Sequence, residues 1–581
     1  MTYLINDASD FAAEAVAGFV AAHPEHVIAV HGGVVRARQT PPGQPALVIG
    51  GGSGHYPAFA GWVGPGMGHG APCGNIFASP SASQVHAVAR NADNGGGVIL
   101  GFGNYAGDVL HFGAAAEKLR AEGIDTRIVA VTDDVASGPA DQRRTRRGIA
   151  GDLPVFKITG AAIEAGADLD EAERIARRAD SATISLGVAF DGCTLPGAQE
   201  PLFHVEPGTM GVGLGIHGEP GVEDRALGTA DEVADLLVEG LLAELLAVQA
   251  AVAPAGHSGR VAMLLNGLGT VKYEELFVVH RRVAERLADA GLTVVRPEVG
   301  EFVTSLDMAG LSLTLVVLDE ELERHWLAPV DTPALRRGGA VVGPSAEAPS
   351  RDEIYAPGAE AIPEAAEASR ACAAQVLRLV ERFEATCAAH EEELGRIDAV
   401  AGDGDHGQGM RLGTRGAVAA AQEALDGGAG VRTLLVRSGS AWAESAGGTS
   451  GALWGAALTA AGGALSDDAA PTDADVAAAL GAAVDAVARL GGAQPGDKTM
   501  MDAAAPYARS LAATFHADGD LAAAARQAAR TAQQAAEATA ELTARLGRSR
   551  VLGEKSRGTP DPGAVSFGML AADVASWLEA R

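Results

Sequence analysis

Three aspartates, Asp398, Asp403 and Asp405, lie close together in the segment IDAVAGDGDHGQGM, which spans residues 397–410. Positions five apart do not share a helical face, so this spacing does not describe a helical stripe. Glycines separate the aspartates, and a glycine-rich loop can fold carboxylates around one centre. Oxygen ligands of this kind suit Mg²⁺, which usually completes its shell with water and phosphate oxygens. The segment predicts a magnesium site facing a phosphate group, with a solvated acidic turn as the alternative.

Two better-known motifs, the EF-hand and the P-loop, do not match the sequence of this half of the chain. Counted from Asp403, an EF-hand would need ligands where Gly407 and Thr414 stand. The segment GDKT at 496–499 resembles the end of a P-loop, but an aspartate separates its glycine from its lysine and no strand pattern precedes it.

Further glycine segments open apparent helices, where free backbone N–H groups favour phosphate. They are AGGTSGALW (446–454), QPGDKTMMDA (494–503) and RGTPDPGAVS (557–566). Each one alone is typical of a helix cap. Together with the aspartates they favour a nucleotide as the ligand of this half.

The N-terminal half places three polar residues in glycine-rich loops near apparent strand ends. The loops are VIGGGSGHYP (48–57), LGFGNYAGDV (100–109) and GVGLGIHG (211–218). A strand that feeds a glycine loop marks a ligand site in an open α/β sheet, which draws attention to His55, Asp108 and His217. A dinucleotide fingerprint is disfavoured, because Pro220 breaks any helix that would follow the third loop.

The elements that must position these residues differ between the two halves. Short apolar runs predict a mostly parallel sheet in one α/β lobe, about 1–190, and further strands in a second α/β lobe, about 191–331. The runs are 46–49, 98–100, 128–131 and 184–189, then 261–265, 293–296 and 313–318, with helices at 231–252 and 274–290.

Residues 332–368 are rich in Pro, Gly, Ala and Glu and predict a linker. Beyond it, strand patterns vanish and an all-α domain is expected over 369–581. Helical spacing begins within 376–387 and continues at 413–425, 432–445, 473–489, 500–515, 519–546 and 564–579.

Composition excludes several classes of partner. The 581 residues carry 44 basic and 74 acidic side chains, a net charge of −30, which argues against nucleic acid and anionic membranes. No apolar stretch of about 18 residues indicates a membrane span, and the N-terminus shows no signal-peptide pattern. The four cysteines show no C-x-x-C spacing. A soluble cytoplasmic protein is the expectation.

In this order along the chain, GGGSGH, NYAGDV, GIHGEPG, the aspartate loop, GDKTMMDA and DPGA resemble the dihydroxyacetone kinase family, in its single-chain ATP-dependent form. The resemblance covers nearly the whole chain. It implies a ketose-binding α/β half (1–331), a nucleotide domain built as a barrel of antiparallel helices, and a homodimer.

For the ketose half, the resemblance implies that His217 forms a hemiaminal with the substrate ketone, which polyols without a carbonyl cannot do. Asp108 would be the general base on the terminal hydroxyl, and His55 would assist by hydrogen bonds. The resemblance also implies that Gly52, Ser53 and Gly54 line the substrate.

For the nucleotide half, the resemblance implies two Mg²⁺ that bridge the ATP phosphates and are held by Asp398, Asp403 and Asp405. It implies nucleotide contacts from His406, Gly407, Gln408, Gly409, Met410, Thr449, Ser450, Asp561, Pro562 and Gly563.

Two departures from the family pattern lie beside the ketose loops. Tyr56 stands where the family has glutamate, and Gly103 stands where a lysine is common. This variant resembles the kinases of erythrulose, which becomes the favoured substrate, with dihydroxyacetone as the alternative. A lyase that cleaves FAD and a ketose-binding regulator without turnover are further alternatives. The carrier-dependent form keeps its halves on separate chains, so fusion favours free ATP.

Overall fold

The computed structural model describes residues 3–219, 221–252, 259–338, 361–400, 402, 404–446, 448–546 and 554–580. The chain divides into two compact units, Met1–Glu347 and Ala348–Arg581. No helix among the described residues combines the length and apolar character needed to cross a membrane.

The first sheet of the N-terminal unit has a parallel centre and an antiparallel hairpin at one edge. Its strands are β1 (Val27–Val30), β2 (Gly33–Arg36), β3 (Ala46–Ile49), β4 (Gly51–Ser53), β5 (Gly70–Ile76), β6 (Val98–Gly103) and β7 (Thr126–Val131). Their order is β1-β2-β5-β3-β6-β7, with β4 paired to β5. Its helices are α1 (Phe11–Ala22), α2 (Ala82–Ala92), α3 (Ala106–Ala121), α4 (Asp152–Glu164) and α5 (Leu169–Ala182). The predicted mostly parallel sheet is confirmed.

The second sheet is mainly antiparallel. Its strands are β8 (Thr183–Asp191), β9 (Thr209–Val212), β10 (Glu223–Ala226), β11 (Arg260–Gly267), β12 (Thr293–Val294), β13 (Glu298–Gly300) and β14 (Ala309–Val317), in the order β10-β9-β8-β14-β11-β12 with β13 on β11. Helices α6 (Ala230–Val252), α7 (Tyr273–Asp289) and α8 (Glu320–Leu327) accompany it, followed by the pair β15 (Val330–Asp331) and β16 (Arg336–Arg337).

The run 184–189 belongs to this second sheet, so assigning it to the first lobe was wrong. It forms most of β8, which pairs with β14 and β9. A fully buried apolar run reads the same in either sheet, so its sequence does not reveal its neighbours. Helix α4 shares a continuous hydrophobic core with both sheets and is buried along almost its whole length, including its polar residues Asp152 and Lys157.

The C-terminal unit is helical throughout its described residues, as the sequence predicts. Its helices are α9 (Glu367–Ala389), α10 (Glu391–Asp398), α11 (His406–Asp426), α12 (Val431–Ala446), α13 (Gly448–Gly463), α14 (Asp473–Gly491), α15 (Met501–Asp518), α16 (Leu521–Ala538) and α17 (Pro562–Glu579). The helix predicted over 519–546 ends earlier, at Ala538, and a short 3-10 turn, Thr539–Glu541, follows it. Of the predicted linker 332–368, residues 339–360 lie outside the described residues.

Three consecutive helices, α11, α12 and α13, approach each other closely at glycines. A Cβ added at Gly413 would lie 2.3 Å from Nε1 of Trp442, and one at Gly439 would lie 2.5 Å from Oγ1 of Thr459. The absence of a side chain at these positions therefore sets the distance between the helices.

Candidate active site

A glycine loop after β4 carries His55 into the first site. Gly54 has a φ of 102°, a conformation that favours glycine, and turns the chain toward the residue that follows. The segment around Thr304 fixes the loop, because the Thr304 N–H donates to the His55 carbonyl oxygen at 3.3 Å. The backbone thus holds His55, which is 3 % exposed, in one position.

His55 and His217 face each other in the N-terminal unit, although 162 residues separate them in sequence. His55 donates from Nδ1 to the Thr304 carbonyl oxygen, 2.7 Å away. Burial, followed by the nearby charge of His217, lowers the pKa of His55 to about 3, so this ring is neutral and its Nε2 carries no proton. The two Nε2 atoms lie 3.0 Å apart, so the proton between them belongs to His217.

Glu219 binds the other side of the His217 ring. Its carboxylate lies 3.0 Å from His217 Nδ1 and also accepts the backbone N–H of the same residue at 3.1 Å. Burial alone would raise the pKa of Glu219, but the hydrogen bonds and charge of His217 outweigh it and hold the pKa at about 2. Glu219 therefore holds His217 through two contacts, one at the ring Nδ1 and one at the backbone N–H.

Arg147 and Asp134 form an ion pair beside Glu219. Arg147 lies 3.9 Å from the Glu219 carboxylate and 2.8 Å from Asp134, which is buried. Two carboxylates thus share one guanidinium, which fixes Glu219 in place for His217.

Asp108 supplies a buried carboxyl near His217. It lies in the first turn of α3 and is 7 % exposed. Burial raises its pKa to about 6, against the opposing effects of a hydrogen bond from Ser79 and the charge of His217. Its Oδ1 has no hydrogen-bond partner among the described residues. A carboxyl tuned in this way can accept a proton from a hydroxyl near neutral pH.

Aromatic rings enclose the imidazole pair. The Phe77 ring stacks on His55 at 5.0 Å and meets His217 edge-on at 5.1 Å between centroids. The Tyr105 ring lies 4.9 Å from His217, also edge-on. These walls orient the His217 ring and limit access of water to it.

The three residues expected to line the substrate border a different space. Gly52, Ser53 and Gly54 lie along a cavity of about 400 Å³ beside α1, and its lining does not include His55, Asp108 or His217. The Ser53 hydroxyl donates to the Gly74 carbonyl oxygen at 2.6 Å, which secures the loop.

In the C-terminal unit, the aspartate loop joins α10 to α11. Asp398 is the last residue of α10, and Asp405 is the N-cap of α11. The Gly404 N–H donates to Asp398 Oδ2 at 2.9 Å, so the loop folds back onto that carboxylate. Asp403 lies outside the described residues.

The two described aspartates line one cavity of about 370 Å³. Its lining includes these predicted residues: Asp398, Asp405, His406, Gln408, Gly409, Thr449, Ser450, Asp561, Pro562 and Gly563. Gly407 and Met410 do not line it. Gly407 faces the backbone carbonyl of Glu391, and Met410 is buried in the helical core.

Hydrogen bonds tie the walls of this cavity together. His406 contacts the hydroxyls of Ser566 at 3.0 Å and Ser450 at 3.3 Å. Burial raises the pKa of Asp561, the N-cap of α17, to about 7. Lys498 donates from Nζ to the carbonyl oxygens of Leu542 (3.1 Å), Ser556 (2.5 Å) and Thr559 (2.8 Å).

Hard carboxylate oxygens, a helix N-terminus and this volume fit a magnesium–nucleotide complex. Asp398 and Asp405 supply the oxygens, and α11 begins directly after Asp405. The donor set of the cavity therefore suits the group that the sequence suggests.

Sequence reasoning missed several residues of both sites. Glu219 lies two positions after His217, so a local signal for its role was present. Tyr105 and Lys498 lie within the quoted motifs NYAGDV and GDKTMMDA, and Phe77 lies outside them. The contacts of all three come from distant parts of the chain and were not predictable locally.

Comparisons with known proteins place both units. The Dak1 domain family matches residues 17–334, and the DAK2 domain family matches residues 400–576. The L-erythrulose 1-kinase of Mycolicibacterium smegmatis is 66% identical, over 98% of this chain and 98% of that protein. The L-erythrulose kinase of Pectobacterium atrosepticum is 53% identical, over 100% of this chain and 97% of that protein.

Among solved structures, the dihydroxyacetone kinase from C. freundii in complex with AMP-PNP and Mg²⁺ is similar, with a TM-score of 0.57 and 30% identity. The match covers 99% of each chain, so both domains correspond in order. The chain belongs to the dihydroxyacetone kinase family, in the single-chain form that its erythrulose kinase relatives share.

Proposed function

We propose that the protein is an ATP-dependent kinase that phosphorylates a terminal hydroxyl of a short-chain ketose, with L-erythrulose as the favoured substrate. Residues 1–331 would bind the ketose and residues 369–581 the nucleotide. The observation that carries the proposal is the high identity to an L-erythrulose 1-kinase along nearly the whole chain. Dihydroxyacetone is the alternative substrate.

The pairing of His55, His217 and Glu219 supports covalent capture of the ketone. As the bond between His217 Nε2 and the carbonyl carbon forms, the C=O π electrons move to the oxygen. The Nε2 proton passes to His55, 3.0 Å away, and from His55 to the new alkoxide. The product is a hydroxyl on a carbon bonded to Nε2 of His217, and the Glu219 carboxylate remains beside Nδ1 of the same ring. Glycerol has no carbonyl and would not be held in this way.

Asp108 is proposed as the general base for the terminal hydroxyl. Its unpartnered Oδ1 is available to accept the proton as the hydroxyl oxygen attacks phosphorus. The His55 ring would help to orient the substrate beside Asp108 by hydrogen bonds.

For the nucleotide, we propose two Mg²⁺ held by Asp398, Asp403 and Asp405, which would neutralise phosphate charge when bound. Ser450 and His406 contact each other and line the same cavity. Their side of the cavity is proposed to face the phosphates. Nucleotide contacts are also proposed for Gln408, Gly409, Thr449, Asp561, Pro562 and Gly563, which line the same cavity.

The proposal is tested by a coupled assay of ADP release with L-erythrulose, D-erythrulose, dihydroxyacetone, glyceraldehyde and glycerol. We expect the highest kcat/KM with L-erythrulose and no turnover of glycerol. Preference for dihydroxyacetone would favour the alternative substrate. Ketose binding without ADP release would indicate a regulator, and release of cyclic FMN from FAD with Mn²⁺ would indicate lyase activity.

The pKa of Asp108 predicts the acid limb of the pH profile. A base must be deprotonated, so kcat/KM should fall about tenfold per pH unit as the pH drops below about 6. Asp108→Asn should lower kcat/KM by about 10²- to 10⁴-fold and remove this limb. Initial rates between about pH 5 and 8 measure both, and a wild-type profile that stays flat through pH 6 contradicts the assignment.

We also propose that the enzyme acts in the cytoplasm as a homodimer. Sedimentation equilibrium would show twice the chain mass of 58.6 kDa, and a monomer at assay concentration would exclude the dimer.

A further inference from the structure

Two histidines and a glutamate lie together where α1 meets β1. His23 is the C-cap of α1, His26 directly precedes β1, and Glu25 stands between them in sequence. Each residue offers one possible ligand atom, and these three atoms lie within 4.8 Å of one another. Two imidazoles and one carboxylate are a ligand set that Zn²⁺ takes in proteins, with a fourth position left for water. The proposed kinase reaction gives this cluster no role.

The Nδ1 atom of His26 is the buried member of the cluster. His26 is 7 % exposed, and its Nδ1 has no hydrogen-bond partner among the described residues. Glu25 Oε1 lies 3.1 Å from this nitrogen, but the contact does not have the geometry of a hydrogen bond. Two ligands of one tetrahedral zinc, each about 2.0–2.2 Å from the metal, are about 3.3–3.6 Å apart. The nitrogen and the oxygen are therefore close to the spacing of two ligands of one ion.

Asp331 determines which nitrogen of His26 is free. Its Oδ1 lies 3.2 Å from Nε2, on the other side of the ring. A carboxylate can only accept, so Nε2 carries the proton and Nδ1 of the neutral ring keeps its lone pair. Histidines that bind a metal almost always donate their second N–H to such a partner, which fixes the tautomer and the orientation of the ring. His26 already has this arrangement.

The charges around the cluster favour a cation, although one side chain competes for the place. Helix α1 has no basic residue in its last turn, so the negative end of its dipole at His23 is not balanced by its own side chains. Arg336 lies 4.0 Å from Glu25 Oε1 and 3.7 Å from Asp331 Oδ1. The Arg336 side chain is 60% exposed, and ion pairs at this exposure contribute little, so a metal ion can displace it.

We propose that His23, Glu25 and His26 bind one divalent transition-metal ion, represented by Zn²⁺, and that Asp331 orients His26 for it. The bound ion would connect the C-terminal end of α1 to the start of β1. This site differs from the magnesium–nucleotide cavity, whose proposed ligands are carboxylates of the C-terminal unit. The proposal does not depend on the kinase reaction.

Calorimetric titration of the full chain with Zn²⁺ tests the proposal, with excess Mg²⁺ present to fill the carboxylate site. The Kd of the site should rise at least about tenfold in His23→Ala, which removes a ligand. Asp331→Ala should raise it by about 10- to 100-fold, because the His26 ring then loses its partner. Arg336→Gln should lower it by about two- to fivefold, because the competing cation is gone.

His204→Ala is the matched control, since His204 is an exposed histidine near Asp191 and Glu200 in the same unit. It should bind Zn²⁺ as the wild type does. X-ray absorption with one equivalent of Zn²⁺ should show two imidazole nitrogens at about 2.0–2.1 Å in the wild type and one fewer in His23→Ala.

A His23→Ala protein that binds Zn²⁺ with the wild-type stoichiometry, Kd and absorption spectrum would overturn the proposal, because the ion would then lie elsewhere. His23 is chosen for this variant because it is only partly buried, whereas His26 lies in the interior. If His23→Ala does not fold, the opposite shifts expected for Asp331→Ala and Arg336→Gln still decide, and equal Kd values in both would exclude the site.

Discussion

Replacing Asp405 with alanine is expected to lower kcat for ketose phosphorylation by about 10³-fold, because a metal clamp on transferring phosphate supplies several kcal/mol of charge stabilisation. Asp405 lines the nucleotide cavity together with Asp398, and its loss would leave a weakened set of oxygen ligands. Steady-state rates at increasing Mg²⁺ measure the effect, and the Mg²⁺ concentration for half-maximal rate should rise as well.

Asp426→Ala provides the control for this change, since Asp426 ends the same helix and, among the described residues, its carboxylate accepts a single exposed hydrogen bond, from Gln422 at 2.8 Å. It should leave kcat unchanged. An Asp405→Ala enzyme with full kinase activity would show that the metal assignment is wrong.

The second large effect is expected for His217→Ala. Removing the imidazole removes the bond to the ketone, so the KM for erythrulose should rise steeply and kcat/KM should fall by at least about 100-fold. The discrimination between ketoses and polyols should shrink with it, because the carbonyl is then no longer recognised. The KM for erythrulose compared with the inhibition constant of glycerol as a competing polyol measures this selectivity.

His204→Ala is the matched control in the same unit. The His204 side chain is 62% exposed and lies near two exposed acidic groups, Asp191 and Glu200. We expect wild-type kinetics from it. Should His217→Ala keep both its KM and its ketone selectivity, covalent capture would be excluded.

Much of the architecture was accessible from the sequence because its periodicities are local. The helical half and the parallel centre of the first sheet follow from apolar spacing and strand-to-glycine transitions. The sheet membership of β8 did not, since a run buried on both faces has no alternation that identifies its partners. Directly after the early end of α16, the hydroxyl of Thr539 accepts a hydrogen bond from the N–H of Asp561 at 2.8 Å, a long-range contact that no local pattern reveals.

The residue types that form the candidate sites could be predicted from the sequence, but the burial and contacts around them could not. His55, Asp108 and His217 stand in glycine loops that can be read locally, and the resemblance to a family gave their proposed roles. The protonation of His55 depends on burial that only the fold creates and on its contact with Thr304, 249 residues away in sequence. Met410 is named as a nucleotide contact by the resemblance, and in the structure its side chain packs into the helical core.

The glycine crossings of α11, α12 and α13 limit how this protein can be made more heat-resistant. Exchanging a helical glycine for alanine commonly stabilises a protein by about 0.4–1 kcal/mol. At Gly413 and Gly439 the added methyl would overlap a neighbouring helix, and such overpacking costs about 1–3 kcal/mol. Gly481 in α14 has open space around its Cβ position and tolerates the exchange. Glycine-to-alanine exchange can therefore stabilise this domain in α14 but not where the three helices cross.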